Sequence, residues 1–155
     1  MGKHKVSAES WSEAQPEVVF GLLREGASWP TWSPLGSFEL EREGRDGGES
    51  LGAIRLFRTG RYRSHEEIVA LDPNRRFSYG LVKGLPLRGY RADIDLEERD
   101  GGTAIRWRSS FDAKVPGTGW IYRRALSRFI RRCVDGLAAY AAAPHPSTED
   151  SSPRV

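Results

Sequence analysis

The chain has 155 residues, a net charge of +3 at pH 7 and 38% hydrophobic residues. That size suits one domain able to bury a core without disulfides or a structural metal. A single cysteine, Cys133, excludes an internal disulfide framework. No secretory leader is recognised and no run of about eighteen apolar residues offers a membrane span, so a soluble cytoplasmic protein is expected.

Residues 3–11 alternate weakly and predict a first strand. Over 12–24 the period changes: Pro16 suits the first turn of a helix, and Val19, Phe20 and Leu23 share one face. A second short helix is expected over 27–32, ended by the Pro34 region. Residues 37–43 set Phe38 and Leu40 against Glu39 and Glu41, the alternation of a strand. Residues 45–50 read as a glycine-rich turn.

Residues 51–58 and 61–71 flank Thr59-Gly60. A two-residue turn there pairs Phe57 with Tyr62 and Arg55 with Ser64, which makes Glu66 a diagonal neighbour of Arg55. A three-residue loop with Gly60 in a bulge shifts the pairing by one. Asp72-Pro73-Asn74-Arg75 reads as a type I turn with Pro at its second position. Phe77, Tyr79 and Leu81 alternate along the next strand, and 83–89 is a loop holding Pro86.

Residues 90–111 fix their own pairing. Asp100-Gly101 between two alternating runs is a strong hairpin signal, because a type I′ turn needs positive φ at both central residues. Closing the ladder there sets Leu96 opposite Ile105, Ile94 opposite Trp107, Ala92 opposite Ser109 and Tyr90 opposite Phe111. The other face sets Asp95 opposite Arg106 and Asp93 opposite Arg108. One register yields an apolar face and a charge-paired face, and a one-residue slip scrambles both.

Pro116-Gly117-Thr118-Gly119 breaks the strand pattern, with Thr118 a candidate N-cap. A helix of about 23 residues, roughly 34 Å long, is expected over 120–142. Tyr122, Leu126, Phe129, Ile130, Cys133, Leu137 and Tyr140 fall on one face, and Arg124, Arg128, Arg131 and Arg132 on the opposite side. Residues 144–155, rich in Ser, Pro and charge, are expected to be a disordered tail, leaving 1–143 as one domain. Strand, two helices, six strands and a long helix make an α+β chain. In it a seven-stranded curved antiparallel sheet wraps a long C-terminal helix and leaves a cleft between them.

The order resembles the START/Bet v 1-like (SRPBCC) superfamily with its helix-grip fold, and in particular the polyketide cyclase/dehydrase-like family. Ala14-Gln15-Pro16-Glu17-Val18-Val19-Phe20 and Trp29-Pro30-Thr31-Trp32-Ser33-Pro34 carry the likeness, with Gly52-Ala53-Ile54-Arg55, Glu66-Glu67-Ile68, Asp72-Pro73 and Arg76-Phe77-Ser78-Tyr79. Gly84-Leu85-Pro86, Gly102-Thr103-Ala104-Ile105-Arg106-Trp107 and the final helix extend it to residues 3–142. The resemblance implies a cavity between sheet and helix. It implies no shared catalytic set, since its members range from polyketide cyclases to lipid and hormone binders.

Within that frame Arg55 and Glu66 are the sharpest pair. They share a face with Phe57, Tyr62 and Ile68, and buried charges are tolerated mainly when paired. The pair is either a strand-to-strand ion pair or a cavity charge. In the latter role an Arg binds a carboxylate or polarises a ketone, as the resemblance to polyketide cyclases implies. Tyr79, Tyr90, Trp107, Ser109 and Phe111 project inward from three strands, either as ordinary aromatic core or as cavity wall. Trp29 and Trp32 border the cavity or plug the space between helices and sheet. Trp120 and the 83–89 loop are candidates for its mouth.

The ligand-binding candidates are therefore Trp32, Arg55, Phe57, Glu66, Tyr79, Tyr90, Trp107, Phe111, Phe129 and Cys133. Pro-Gly-Thr-Gly matches no phosphate-binding motif, and His4, His65 and His145 have no metal-ligand spacing, so neither cofactor nor metal is expected. Asp93 and Asp95 read as surface ion pairs rather than an acid/base dyad. The arginines of the last helix read as a solvated face, with no nucleic-acid partner and no stable membrane insertion. The expected function is binding of a small hydrophobic or aromatic molecule, by a monomer or homodimer. The alternative is a cyclase/aromatase or dehydratase-type lyase acting on a ketone-bearing ligand in the same cavity.

Overall fold

In the computed structural model, which describes residues 3–144, Asp100 and Gly101 adopt φ angles of 51° and 78°. This is the positive pair that a type I′ turn requires. It joins β6 (Leu87–Arg99) to β7 (Gly102–Ala113). The ladder then runs as the sequence dictates: Leu96 faces Ile105, Ile94 faces Trp107, Ala92 faces Ser109, Asp95 faces Arg106 and Asp93 faces Arg108. The expected Tyr90–Phe111 pair does not form. The register shifts between Arg88 and Arg91, where Gly89 takes a φ of 61°, a bulge that re-aims the strand end.

The other elements are β1 (His4–Ser12), α1 (Pro16–Arg24), a 3-10 turn (Gly26–Ser28) running into α2 (Trp29–Trp32), β2 (Ser37–Arg42), β3 (Ile54–Thr59), β4 (Tyr62–Asp72), β5 (Arg76–Lys83) and α3 (Gly119–Ala142). The seven strands form one antiparallel sheet in the order β1-β7-β6-β5-β4-β3-β2. Residues 145–155, most of the expected tail, lie outside the described residues.

Two turns differ from expectation. Between β3 and β4 the turn residues are Gly60 and Arg61, so Thr59 faces Tyr62, Phe57 faces Ser64 and Arg55 faces Glu66 directly. Gly60, with φ 58°, takes the first central position that a type II′ turn reserves for glycine. Each strand has slid by one residue, so the parity, and with it the inner face, is unchanged. Between β4 and β5, Asn74 has a φ of 64° and the Arg75 amide donates to the Asp72 carbonyl at 3.0 Å. Positive φ at the third position belongs to a type II turn rather than type I.

Ile94, Leu96, Ile105 and Trp107 are all buried, but the cover over the sheet is shared between two helices. α1 packs on β5, β6 and β7 through Val19, Phe20 and Leu23, while α3 packs on β1 and β7. Ser12, the last residue of β1, ties the two layers by donating its hydroxyl to the Ala138 carbonyl of α3 at 2.7 Å. α2 meets α3 at Gly136, where an added Cβ would lie 1.9 Å from the Trp32 carbonyl oxygen. Only a glycine permits that approach.

The C-terminal part of α3 buries Ile130, Cys133, Val134, Leu137, Ala138 and Ala141, whereas Tyr122, Leu126 and Phe129 are half-buried. Thr118 sits at the N-cap, yet its side chain does not cap the helix. The hydroxyl donates instead to the Val115 carbonyl at 2.6 Å. On the convex face the charges pair straight across β5–β6 and β1–β7 and diagonally across β6–β7. Asp95 accepts from Arg76 at 2.6 Å and Arg108 at 2.5 Å, Asp93 accepts from Ser78 and Arg91, and Arg106 reaches Glu9 on β1.

Candidate functional site

Strand alternation and helix periodicity together enclose a cavity of about 410 Å³. Its floor comes from i, i+2 positions: Phe57 and Thr59 on β3, Tyr62, Ser64 and Glu66 on β4, Tyr79 and Leu81 on β5. Leu87 and Tyr90 continue it on β6. Its roof is Tyr122, Ala125, Leu126 and Phe129, one stripe of the N-terminal half of α3. Those roof residues are half-buried or exposed because a void, not a packed strand, lies beneath them. Leu35, Leu85 and Pro86 close one end and Trp29 another.

Among the described residues that line the cavity there is no Lys, Arg or His, and one carboxylate, that of Glu66. Glu66 is 6% exposed. Burial pushes its carboxyl up to about 7, against the opposing pull of the Arg55 charge and a hydrogen bond from Ser64. Burial likewise raises Tyr79 well above the usual phenol range, and raises Tyr90 to about 12 against the opposing influence of the nearby Ser109 and Tyr79 hydroxyls. Both phenols are neutral donors at any physiological pH.

Arg55 does not line the cavity. It is fully buried, and its Nη1 donates to the Leu23 carbonyl at 3.0 Å and to Glu49 Oε1 at 3.3 Å. Its Cζ stacks over Trp29 at 4.7 Å, Phe77 at 5.0 Å and Phe57 at 5.3 Å. Trp29 and Phe57 are themselves wall residues, so the guanidinium lies behind the wall. Nε and Nη2 have no partner. Burial draws the guanidinium below its usual range, with Glu66 and Glu49 pulling it back. Among the described residues the carboxylate within ion-pair distance of Arg55 is Glu49, not Glu66.

Of the ten candidates from the sequence, Phe57, Glu66, Tyr79, Tyr90 and Phe129 line the cavity; Trp32, Arg55, Trp107, Phe111 and Cys133 are buried without lining it. Trp32 packs on Trp29 and Trp107 at centroid distances of 4.8 and 6.2 Å. Phe111 stacks on His4 at 5.3 Å. The Cys133 thiol is pushed up by burial, and the Glu66 charge adds to the effect. Trp120 is no part of the mouth: it is 64% exposed and lies in a separate open groove with Lys5, Arg123, Arg124 and Arg128. Tyr62, Ser64, Tyr122 and Leu126 join the wall although sequence reasoning did not single them out as site residues. The signal was present, since the first two share the parity of Glu66 and the last two share the stripe of Phe129. Glu49, the partner of Arg55, lies in the glycine-rich segment and carries no periodic signal.

Among the described residues no cluster of three or more His, Cys, Asp or Glu could hold a metal ion, and no helix is long and apolar enough to cross a membrane. A curved seven-stranded antiparallel sheet closed by a long C-terminal helix is the helix-grip fold of START and Bet v 1 proteins. Residues 3–142 match the family described as polyketide cyclase / dehydrase and lipid transport, and the chain belongs to that family.

Solved structures agree on the fold. A START superfamily protein from Mycobacterium smegmatis is similar with a TM-score of 0.76 at 13% identity, covering 89% of this chain and 97% of that one. XoxI from Bacillus cereus gives 0.70 at 18% identity, covering 90% and 95%. Ara h 8.0201 gives 0.68 at 20% identity, covering 90% and 98%. No protein of curated function matches the sequence.

Proposed function

We propose that the chain binds a small hydrophobic or aromatic molecule in the cavity between the sheet and α3. The observation that carries this is the wall itself. A space of about 410 Å³ is bounded by aromatic and aliphatic side chains, with polar atoms confined to Glu66 and a few hydroxyls. That combination of volume, apolar lining and sparse polar groups is what small-molecule sites have in general. Native mass spectrometry of protein purified from its own host tests the proposal. The expected result is a bound species of small-molecule mass that Leu81→Trp, which fills the cavity, removes while the fold is retained. Retention of the same species by that variant would place the ligand elsewhere.

A second reading, a cyclase or dehydratase-type enzyme acting on a ketone, is favoured by Glu66. A buried carboxyl that titrates near neutrality is suited to move a proton to or from a carbon beside a carbonyl. Arg55 does not serve as the electrophile on this reading because it does not reach the cavity; the Tyr79 or Tyr90 hydroxyl takes that place. Deuterium exchange beside the carbonyl of a bound ketone, abolished by Glu66→Gln, is the expected sign of it.

A further inference from the structure

We infer that the cavity selects a ligand with an apolar or aromatic body and one protonated amine, held against Glu66. This rests on the cavity being a ligand site and adds the charge of the ligand. Among the described residues that line the wall there is one acid and no base. An anionic ligand therefore meets a like charge and finds no cation to pair with. The nearest cation, Arg55, points its Nη1 at the Leu23 carbonyl and Glu49 and sits behind the rings of Trp29 and Phe57. Arg55 is in ion-pair contact with Glu49 and also feels Glu66 across the strand pair, so its one charge is shared between two carboxylates and Glu66, when ionised, is only partly compensated.

The groups around Glu66 from each packed element agree. They are Arg55 on β3, Ser64 on β4, Tyr79 on β5, Tyr90 on β6 and Cys133 on α3. Apart from Arg55, whose charge is shared with Glu49, they are neutral at physiological pH, so none adds a second counter-ion. The wall also presents four tyrosines, Tyr62, Tyr79, Tyr90 and Tyr122, together with Trp29. Aromatic faces attract cations, and a ring of them beside a carboxylate is a cage for an ammonium group. The arginines of α3 do not oppose this. Arg123, Arg124 and Arg128 lie in the groove with Lys5, on a different stripe of the helix from the roof residues Tyr122, Ala125, Leu126 and Phe129.

Isothermal titration calorimetry of the intact protein at pH 8, with three probes that share an indole body, tests the inference. Tryptamine carries the ammonium, tryptophol a neutral hydroxyl and indole-3-acetate a carboxylate. The expected order is tryptamine at least about tenfold tighter than tryptophol, with indole-3-acetate weakest. Glu66→Gln should abolish the amine preference, so that tryptamine and tryptophol bind alike. In the native protein the preference should shrink as pH falls from 8 to 5.5 and the carboxylate is protonated, a readout that stands even if the variant fails to fold. Equal or tighter binding of tryptophol or indole-3-acetate at pH 8 overturns the inference and leaves the small-molecule reading intact. Binding of none of the three at millimolar concentration also overturns it, and the broader reading then rests on the native mass spectrometry alone.

Discussion

Arg55 and Glu66 are direct cross-strand partners on the inner face of the sheet, yet their charged ends part company. Arg55 turns toward the Leu23 carbonyl and Glu49, and Glu66 stays at the cavity wall. Burial acts on both, drawing the guanidinium down and the carboxyl up. One ladder position thus holds a residue that supports the fold beside a residue that faces the cavity.

Arg55→Ala should lower stability by about 3–5 kcal/mol, the range for breaking a buried charged pair. It removes a side chain stacked on three rings, one of the two donors to the Leu23 carbonyl, and the cation paired with Glu49. Arg55→Met, which keeps most of the volume, should cost less. Urea denaturation measures both. Ligand affinity of the folded fraction should stay within about twofold, and a large loss with the fold intact would place Arg55 in the site.

Glu66 makes stability depend on pH in an unusual direction for a carboxyl. Its folded-state value of about 7 lies above its ordinary 4.5, so the folded state holds the proton more tightly than the unfolded chain. The stabilisation is complete below about pH 4.5 and is lost as pH rises through 7. Its size is about 3 kcal/mol, from roughly 1.4 kcal/mol for each pH unit of displacement. Glu66→Gln should therefore be more stable than the native protein at pH 8 and similar to it at pH 4.5. A variant less stable at pH 8 than the native protein would contradict this.

Ile94→Asp should abolish folding, because the side chain is fully buried opposite Trp107 and an unpaired buried carboxylate costs several kcal/mol. Asp95→Ala, on the opposite face of the same strand, should cost about 1 kcal/mol or less. It loses contacts to Arg76 and Arg108 that salt already screens. Circular dichroism for the first and chemical denaturation at two salt concentrations for the second would check the contrast.

Most of the sheet was legible because turns carry their own geometry. Asp100-Gly101 settles the β6–β7 register without reference to anything distant, as far as the bulge at Gly89. Thr59-Gly60-Arg61 offers more than one turn with similar local chemistry. The pairing was displaced, but the displacement was an even one and preserved the inner face. The destination of Arg55 was not legible: parity tells which face a side chain leaves from, not where a long flexible one ends. Its partner Glu49 lies in a segment without period. Nor does sequence separate inward residues that fill the core from those that line a void. Trp107 and Tyr79 both point inward, but Tyr79 borders the cavity and Trp107 does not, a difference made by where α1 and α3 settle.

Cys133 should be unreactive in the native protein. It is fully buried on α3 and its thiolate is disfavoured by burial and by the Glu66 charge. Labelling by a bulky disulfide reagent should follow global unfolding and accelerate in step with urea. Prompt labelling in native buffer would mean that α3 leaves the sheet far more easily than the rest of the core.

The contact between Gly136 and the Trp32 carbonyl gives the protein a way to change what it accepts. α3 is pinned at that point by the absence of a side chain, and its N-terminal half carries the ceiling some ten residues away. A methyl group at 136 would have to lever the helix outward, and the lever arm ends over the cavity. Selection for a bulkier or slimmer guest need not touch the wall at all: one substitution at the fulcrum would redraw the room.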